Sequence, residues 1–414
     1  MRNGDWAAMV RLTTLGLLLR LLTPDAVHAA EDQPVPPSGG LWQGTSCPPA
    51  ATNPSPTSTF YVTNTGGGGG GFGRGDIHHH LGSIDFWDRR TGWTSGYGGV
   101  FKSADGGLTW ERVQPMGDWS IVRMTGPQEV WLVSRAYVQG KAVYSLLHTT
   151  DGGKNWEDAK QRLPGMTSCV QLFCRGNERW LMGGMADGAN FASSDGGTSW
   201  RRIDFHGLLA GGLLVAIPAD VPSDAGDQPN AGFVAYVFGH RSSPTNSPLV
   251  KSTDGGRTWK QVTLPPDFPR GAIPTAMHFA TSCKGWLGFN SGRVLFTPDG
   301  GRAWNWRNLP TDQAVTAIWM DQTGHGFVGV QNGPVWNGGG RDPWVGAYRD
   351  AVFETHDDGQ TWRPVLSGMR QVNQFCAVSS DQVWGAGLMP SNMSNDLIII
   401  WQSSLRATAP LCRP

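Results

Sequence analysis

Ser103-Ala-Asp-Gly-Gly-Leu-Thr-Trp110 decides the fold, because five further copies of the string follow it. They are Thr149-Thr-Asp-Gly-Gly-Lys-Asn-Trp156, Ser193-Ser-Asp-Gly-Gly-Thr-Ser-Trp200, Ser252-Thr-Asp-Gly-Gly-Arg-Thr-Trp259, Thr297-Pro-Asp-Gly-Gly-Arg-Ala-Trp304 and Thr355-His-Asp-Asp-Gly-Gln-Thr-Trp362. Their aspartates, Asp105, Asp151, Asp195, Asp254, Asp299 and Asp357, stand 46, 44, 59, 45 and 58 residues apart. A period in the mid-forties is the mark of a repeated supersecondary unit that stacks or closes radially on its neighbours.

Before five of the six aspartates, at spacings of 12 to 30 residues, a second aromatic mark recurs. It is seen at Gly92-Trp93, Val130-Trp131, Arg179-Trp180, Gly285-Trp286 and Gly326-Phe327. A further copy, Val383-Trp384, has no aspartate string after it; Leu397-Ile-Ile-Ile-Trp401 takes the place of the strand before that turn. Seven units of about 47 residues predict an all-β, seven-bladed β-propeller of four-stranded antiparallel blades. The strands of the first blade are expected near 83–87, 92–97, 99–104 and 109–114.

The repeated string has a structural explanation. An aspartate in a tight turn accepts hydrogen bonds from the N–H groups that follow it, and glycine supplies the positive φ such turns need. The tryptophan starts the next strand and covers the turn; burying its ring over about 150–250 Å² contributes roughly 4–6 kcal/mol before any discount for the unfolded chain. The six aspartates are therefore expected to be structural, placed in the turns between third and fourth strands.

Composition agrees. Glycine (58 of 414) and proline (28) argue against long helices. The 33 basic residues balance 33 acidic ones, without the basic surplus a nucleic-acid binder uses on phosphates. Arg2 and Arg11, the apolar run Leu12 to Leu22 and the small residues of Val27-His28-Ala29 resemble an export signal over residues 1–29. No second apolar run is long enough to span a membrane, so an exported monomer (periplasmic, extracellular or lumenal) is expected. Residues 30–80 read as a Pro/Gly-rich linker containing six consecutive glycines, Gly66 to Gly71, with Thr59 to Val62 as its only strand-like piece. Residues 81–414 are left for the propeller. Six cysteines allow 15 pairings; the preferred bridges are Cys169–Cys174 and Cys376–Cys412.

The strings resemble Asp-box (bacterial neuraminidase, BNR) repeats. The longer form from Gly92 to Trp110 is similar to the photosystem II assembly and stability factor family and its relatives in non-photosynthetic bacteria, over about 84–365. That resemblance implies a seven-bladed propeller that binds a protein partner without catalysis and without a cofactor. Nothing outside the repeats ties the chain to photosynthesis.

Antiparallel connectivity places the loops between second and third strands on the face opposite the aspartate turns. Two of these loops are enlarged, Gly239 to Pro248 and Gln331 to Asp350. Long loops on rigid scaffolds carry binding. The candidate contacts for a protein partner or a glycan are Trp336, Arg341, Asp342, Trp344, Tyr348 and Arg349, with His240 and Arg241 from the other loop. The competing explanation folds Trp336 and Trp344 back as a cap on their own blade.

A sialidase is disfavoured: no Arg-Ile-Pro occurs, and none of the six glutamates (Glu31, Glu111, Glu129, Glu157, Glu178, Glu354) falls on that face. A xyloglucanase-like hydrolase would need two carboxylates about 6.5–9.5 Å apart if inverting, and Asp187, Asp342 and Asp350 are available. Such enzymes resemble two propellers in tandem, whereas this chain has room for one. The run Asp76-Ile-His78-His79-His80 reads as a polar loop, and no metal site is expected.

Overall fold

The computed structural model describes residues 58–63, 81–96, 99–114, 119–139, 141–184, 189–218, 233–243, 246–269, 272, 274–332, 349–388 and 396–403. All of them lie in one unit, 47–414. The strands form seven four-stranded antiparallel sheets. The first in the chain, β1 (Ser58–Thr63), is followed by the first sheet, β2 (Leu81–Phe86), β3 (Gly92–Gly96), β4 (Gly99–Ser103) and β5 (Glu111–Gln114). The second sheet is β6 (Trp119–Met124), β7 (Val130–Val138), β8 (Lys141–Thr149) and β9 (Glu157–Asp158), and the third is β10 (Gln171–Arg175), β11 (Glu178–Met182), β12 (Phe191–Ser193) and β13 (Arg201–Arg202). The fourth is β14 (Leu209–Ala216), β15 (Ala235–Arg241), β16 (Leu249–Ser252) and β17 (Lys260–Gln261). The fifth is β18 (Ala276–Phe279), β19 (Gly285–Gly288), β20 (Arg293–Thr297) and β21 (Asn305–Asn308), and the sixth is β22 (Val315–Met320), β23 (Gly326–Val330), β24 (Asp350–Thr355) and β25 (Arg363–Ser367).

Six sheets are thus contiguous in the chain, and the seventh is assembled from both ends. Its strands β26 (Gln371–Ser379), β27 (Gln382–Leu388) and β28 (Asp396–Ser403) are completed by β1, which pairs antiparallel along β28 from Ser58↔Ser403 to Thr63↔Ile398. The first strand of each contiguous sheet touches that of the next, β26 touches β22, and β26 also touches β2, so the ring closes. Ser58–Thr63 falls inside the stretch expected to be linker. The β-branched and aromatic run Thr-Phe-Tyr-Val there supplies a strand, and its pairing covers what would otherwise be the open edge of β28.

Each aspartate turn is built the same way. In the first, the Ser103 hydroxyl donates to Asp105 Oδ1 (2.8 Å), the Thr109 N–H to the same oxygen (2.9 Å) and the Thr109 hydroxyl to Oδ2 (2.6 Å). The other five carboxylates accept equivalent bonds from residues no more than four positions away, for example Asn155 on Asp151, Ser199 on Asp195 and Thr258 on Asp254. Against the upward push of partial burial, these bonds hold the Asp195 and Asp254 carboxyls down at about 2. The turn also bonds to the connection between the first two strands of its own sheet, as when Gly106 N–H donates to the Arg90 carbonyl (2.9 Å). Both connections therefore lie at one end of the sheet.

The same turns lock neighbouring sheets together. The second-strand aromatics are fully or almost fully buried, and those of the first five sheets meet the aspartate turn of the following sheet. Trp180 of the third sheet lies edge-on to Trp259 of the fourth, centroids 6.1 Å apart at 76°. Trp131 meets Trp200 at 6.2 Å, and Trp93 meets Trp156 at 6.1 Å. Gly256, at φ +77°, shows why the string needs glycine: a Cβ there would sit 2.3 Å from the Trp180 ring. Trp384 Nε1 donates to the Gly106 carbonyl at 2.8 Å, which extends the interlock across the ring closure.

The cysteine pairings are corrected. Cys169, Cys174 and Cys376 are free, buried thiols, so neither Cys169–Cys174 nor Cys376–Cys412 forms. Cys169 and Cys174 belong to one apolar cluster, where the Cys169 thiol donates to the Gln171 carbonyl (3.4 Å) and burial pushes Cys174 up to about 12. They serve there as small apolar side chains. Cys283 is disulfide-bonded; Cys47 and Cys412 lie outside the described residues.

Candidate functional site

The seven innermost strands surround a cavity of about 640 Å³, to which every one of them contributes. Polar side chains on these strands bond across to the next sheet. Gln171 accepts from the Val215 N–H (2.6 Å) and donates to the Val215 carbonyl (3.2 Å). Thr316 donates to the Val372 carbonyl (2.5 Å), Asn373 to the Leu81 carbonyl (2.6 Å) and Gln374 to the Ile84 carbonyl (3.0 Å). A first strand has no sheet partner on its inner edge, so these side chains satisfy backbone groups that a closed ring would otherwise leave bare.

Arg123 projects from β6 into the cavity. It donates from Nη1 to Ser83 Oγ (2.9 Å) and to the Val122 carbonyl (2.6 Å), with Gln374 Oε1 at 3.4 Å. Its bonds to described residues all leave from Nη1, so Nε and Nη2 remain for a ligand.

The cavity's carboxylates among the described residues are Asp85 and Asp321. Asp85 accepts from Phe86 N–H (3.1 Å) and the Cys376 thiol (3.3 Å) on Oδ1, and from Met124 N–H (2.8 Å) on Oδ2. Burial raises its pKa against the opposing pull of Arg123. Asp321 closes its own turn, accepting from the Thr323 N–H (2.8 Å) and hydroxyl (2.6 Å) and from His325 N–H (3.1 Å). Both acids are committed to holding backbone.

His278, also lining the cavity, donates from Nε2 to the Met320 carbonyl (2.8 Å), and burial lowers its pKa to about 4. A histidine depressed in the fold binds its proton more weakly than in the unfolded chain. Its contribution is therefore present above pH ~6.5 and is lost as pH falls toward about 4, by up to ~3 kcal/mol. Denaturant titrations across that window are expected to show this slope in the parent protein and its loss in His278→Gln.

Of the residues singled out in the sequence, Trp336, Arg341, Asp342, Trp344 and Tyr348 lie outside the described residues, as do Asp187 and the run from Asp76 to His80. Arg349 precedes β24, its carbonyl accepting from Gly368 N–H (3.0 Å). Asp350 accepts from the Ser367 hydroxyl (2.7 Å). His240 and Arg241 end β15, with His240 Nε2 3.1 Å from the Gly184 carbonyl. The two enlarged loops belong to the fourth and sixth sheets, and the fifth stands between them.

One surface element was missed. The hairpin of β7 and β8 is long: among the described residues β6 pairs with β7 as far as Arg135, while Ala136 to Val138 pair with Lys141 to Val143. Its tip exposes Val138 and Val143, on the face opposite the aspartate turns. The signal was available in the β-branched and aromatic residues on either side of Gln139-Gly140.

Residues 75–205 match the family model described as photosynthesis system II assembly factor YCF48. No curated protein matches the chain by sequence. Among solved structures, YCF48 from Cyanidioschyzon merolae is similar at 16% identity and a TM-score of 0.53, over 78% of this chain and 96% of that one. A structure described as YCF48 bound to D1 peptide is similar at 17% identity and 0.53, over 87% and 100%. The GH74 xyloglucanase from Xanthomonas campestris is similar at 16% and 0.54, over 82% of this chain and 55% of its own length. Such identities speak for the fold alone, and this chain matches only 55% of the xyloglucanase's length. The interlocked sheets, their repeated turns and the match over 75–205 together make this chain a BNR-type propeller related to YCF48.

Proposed function

We propose that the protein is an exported, non-catalytic scaffold that holds an extended segment of a protein partner in its central cavity. The observation that carries this reading is the pairing of free guanidinium donors on Arg123 with carboxylates that are already spent on backbone. Such a lining can bind carbonyl or carboxylate oxygens, and among the described residues it offers no opposed acid and base for glycoside hydrolysis. The similar fold found with a bound D1 peptide supports a peptide ligand. The enlarged loops, with Trp336, Arg341, Asp342, Trp344, Tyr348, Arg349, His240 and Arg241, and the tip of the β7–β8 hairpin would extend the contact at the cavity mouth. Export is supported by the N-terminal leader and by disulfide-bonded Cys283, which suits an oxidising compartment.

An array of short peptides of varied sequence, probed with the labelled full chain, tests this. Binders are expected, and Arg123→Ala is expected to weaken the best of them about 10- to 100-fold, the effect of losing a charged hydrogen-bond donor. Unchanged affinity in Arg123→Ala would place the contact elsewhere. Sustained release of reducing ends from xyloglucan, abolished by Asp342→Asn, would overturn the scaffold reading in favour of a hydrolase.

A further inference from the structure

We propose that His325, Glu354 and His356 form a binding site for a divalent transition ion of the zinc class. The three are brought together by the architecture of the sixth sheet. His325 lies in the turn between β22 and β23, Glu354 near the end of β24, and His356 in the aspartate turn that follows. Their donor atoms all lie within 4.8 Å of one another.

The spacing suits an ion. Tetrahedral zinc with ligand distances of about 2.0–2.1 Å requires neighbouring donor atoms about 3.3 Å apart. His325 Nε2 is 3.1 Å from Glu354 Oε1, and His356 Nε2 is 3.5 Å from the same oxygen. The two imidazoles are stacked, centroids 4.6 Å apart at 16°, and both Nε2 atoms lie within 3.5 Å of that one oxygen.

A simple hydrogen-bonded cluster accounts for His325 and leaves His356 unexplained: its Nε2 is sealed from solvent and makes no hydrogen bond of acceptable geometry. A metal ion would satisfy that nitrogen.

The surroundings are those of a supported site. Glu354 is completely buried, and its second oxygen is paired with Arg363, which fixes the carboxylate. Asp321 Oδ2 stands 3.9 Å from His325 Nδ1, close enough to bias the tautomer that leaves Nε2 as the ligand. Trp401 of β28 and Phe327 of β23 flank His325 with ring centroids 5.0 and 5.1 Å away, excluding water from that side. His356 is partly exposed and offers an entry path. Two imidazoles and one carboxylate select borderline ions such as Zn²⁺ over Mg²⁺ or Ca²⁺, and leave one position for water. A bound ion would tie two turns of the sixth sheet together beside the composite sheet that closes the ring.

The test is calorimetric titration of the full chain with Zn²⁺ and with Mg²⁺, in a background where His78, His79 and His80 are replaced by alanine to remove a competing imidazole run. One equivalent of Zn²⁺ is expected to bind and Mg²⁺ is not. Adding His356→Ala is expected to weaken Zn²⁺ at least about tenfold, whereas Cys376→Ser is expected to leave it unchanged. Zinc-edge X-ray absorption of the loaded protein, which needs no ligand variant, should show nitrogen and oxygen neighbours with two imidazoles. Absence of Zn²⁺ binding, equal affinity with and without His356, or sulfur ligation in the absorption spectrum would each overturn the proposal.

Discussion

Trp180→Ala is expected to lower the free energy of unfolding by about 3–5 kcal/mol, the range for emptying a buried large aromatic site. The ring is fully buried between two sheets. On one side Gly256 of the next aspartate turn approaches so closely that it admits no side chain, and Trp259 and Phe233 stand edge-on to it. Removing it opens a cavity at a sheet-to-sheet joint, which a solvent-facing loop could fill only partly. Denaturant unfolding followed by tryptophan fluorescence and circular dichroism measures the loss. A change below about 1 kcal/mol, typical of surface positions, would show that the turns do not join adjacent sheets energetically.

The second large effect concerns the closing strand. A chain that begins after Thr63 lacks β1 and exposes the outer edge of β28, whose sequence includes Ile398, Ile399 and Ile400. Six cross-strand pairs at about 0.2–1 kcal/mol each amount to roughly 1–6 kcal/mol. An uncovered, β-branched edge also invites strand pairing between molecules. The truncated chain is expected to unfold at lower denaturant and to form oligomers on size-exclusion chromatography; a monomer of unchanged stability would contradict the closure described.

Much of this architecture was legible because the repeat is local. Six aspartate strings and their preceding aromatics lie within single sheets, so spacing alone located the turns, and the first sheet's strands were expected within a few residues of where they are. What spacing could not show was contact between sheets. Trp180 reads as the core of its own unit, and its fit against Gly256 appears only when two units are set side by side.

The ring closure was half legible. Thr59 to Val62 has a strand's pattern, but its partner lies more than 300 residues away and no local signal connects them. The cysteine pairings failed for a related reason: an even count and closeness in sequence say nothing about whether a thiol is needed to fill a core, as Cys169, Cys174 and Cys376 are. The cavity was not foreseen, because the polar groups in its mostly apolar lining are ordinary residues such as Gln171, Thr316 and Gln374, scattered over separate units. Arg123 acquires meaning only at the centre of the ring. The His325–Glu354–His356 cluster escaped notice because its residues are split between two turns of one sheet.

Hydrogen–deuterium exchange of the full chain, alone and saturated with the best peptide from the array, tests the account most directly. Slowed exchange is predicted on the innermost strands, above all around Ser83, Arg123 and Gln371 to Gln374. Protection confined to the aspartate turns or to the outer strands would contradict a partner held at the centre of the ring.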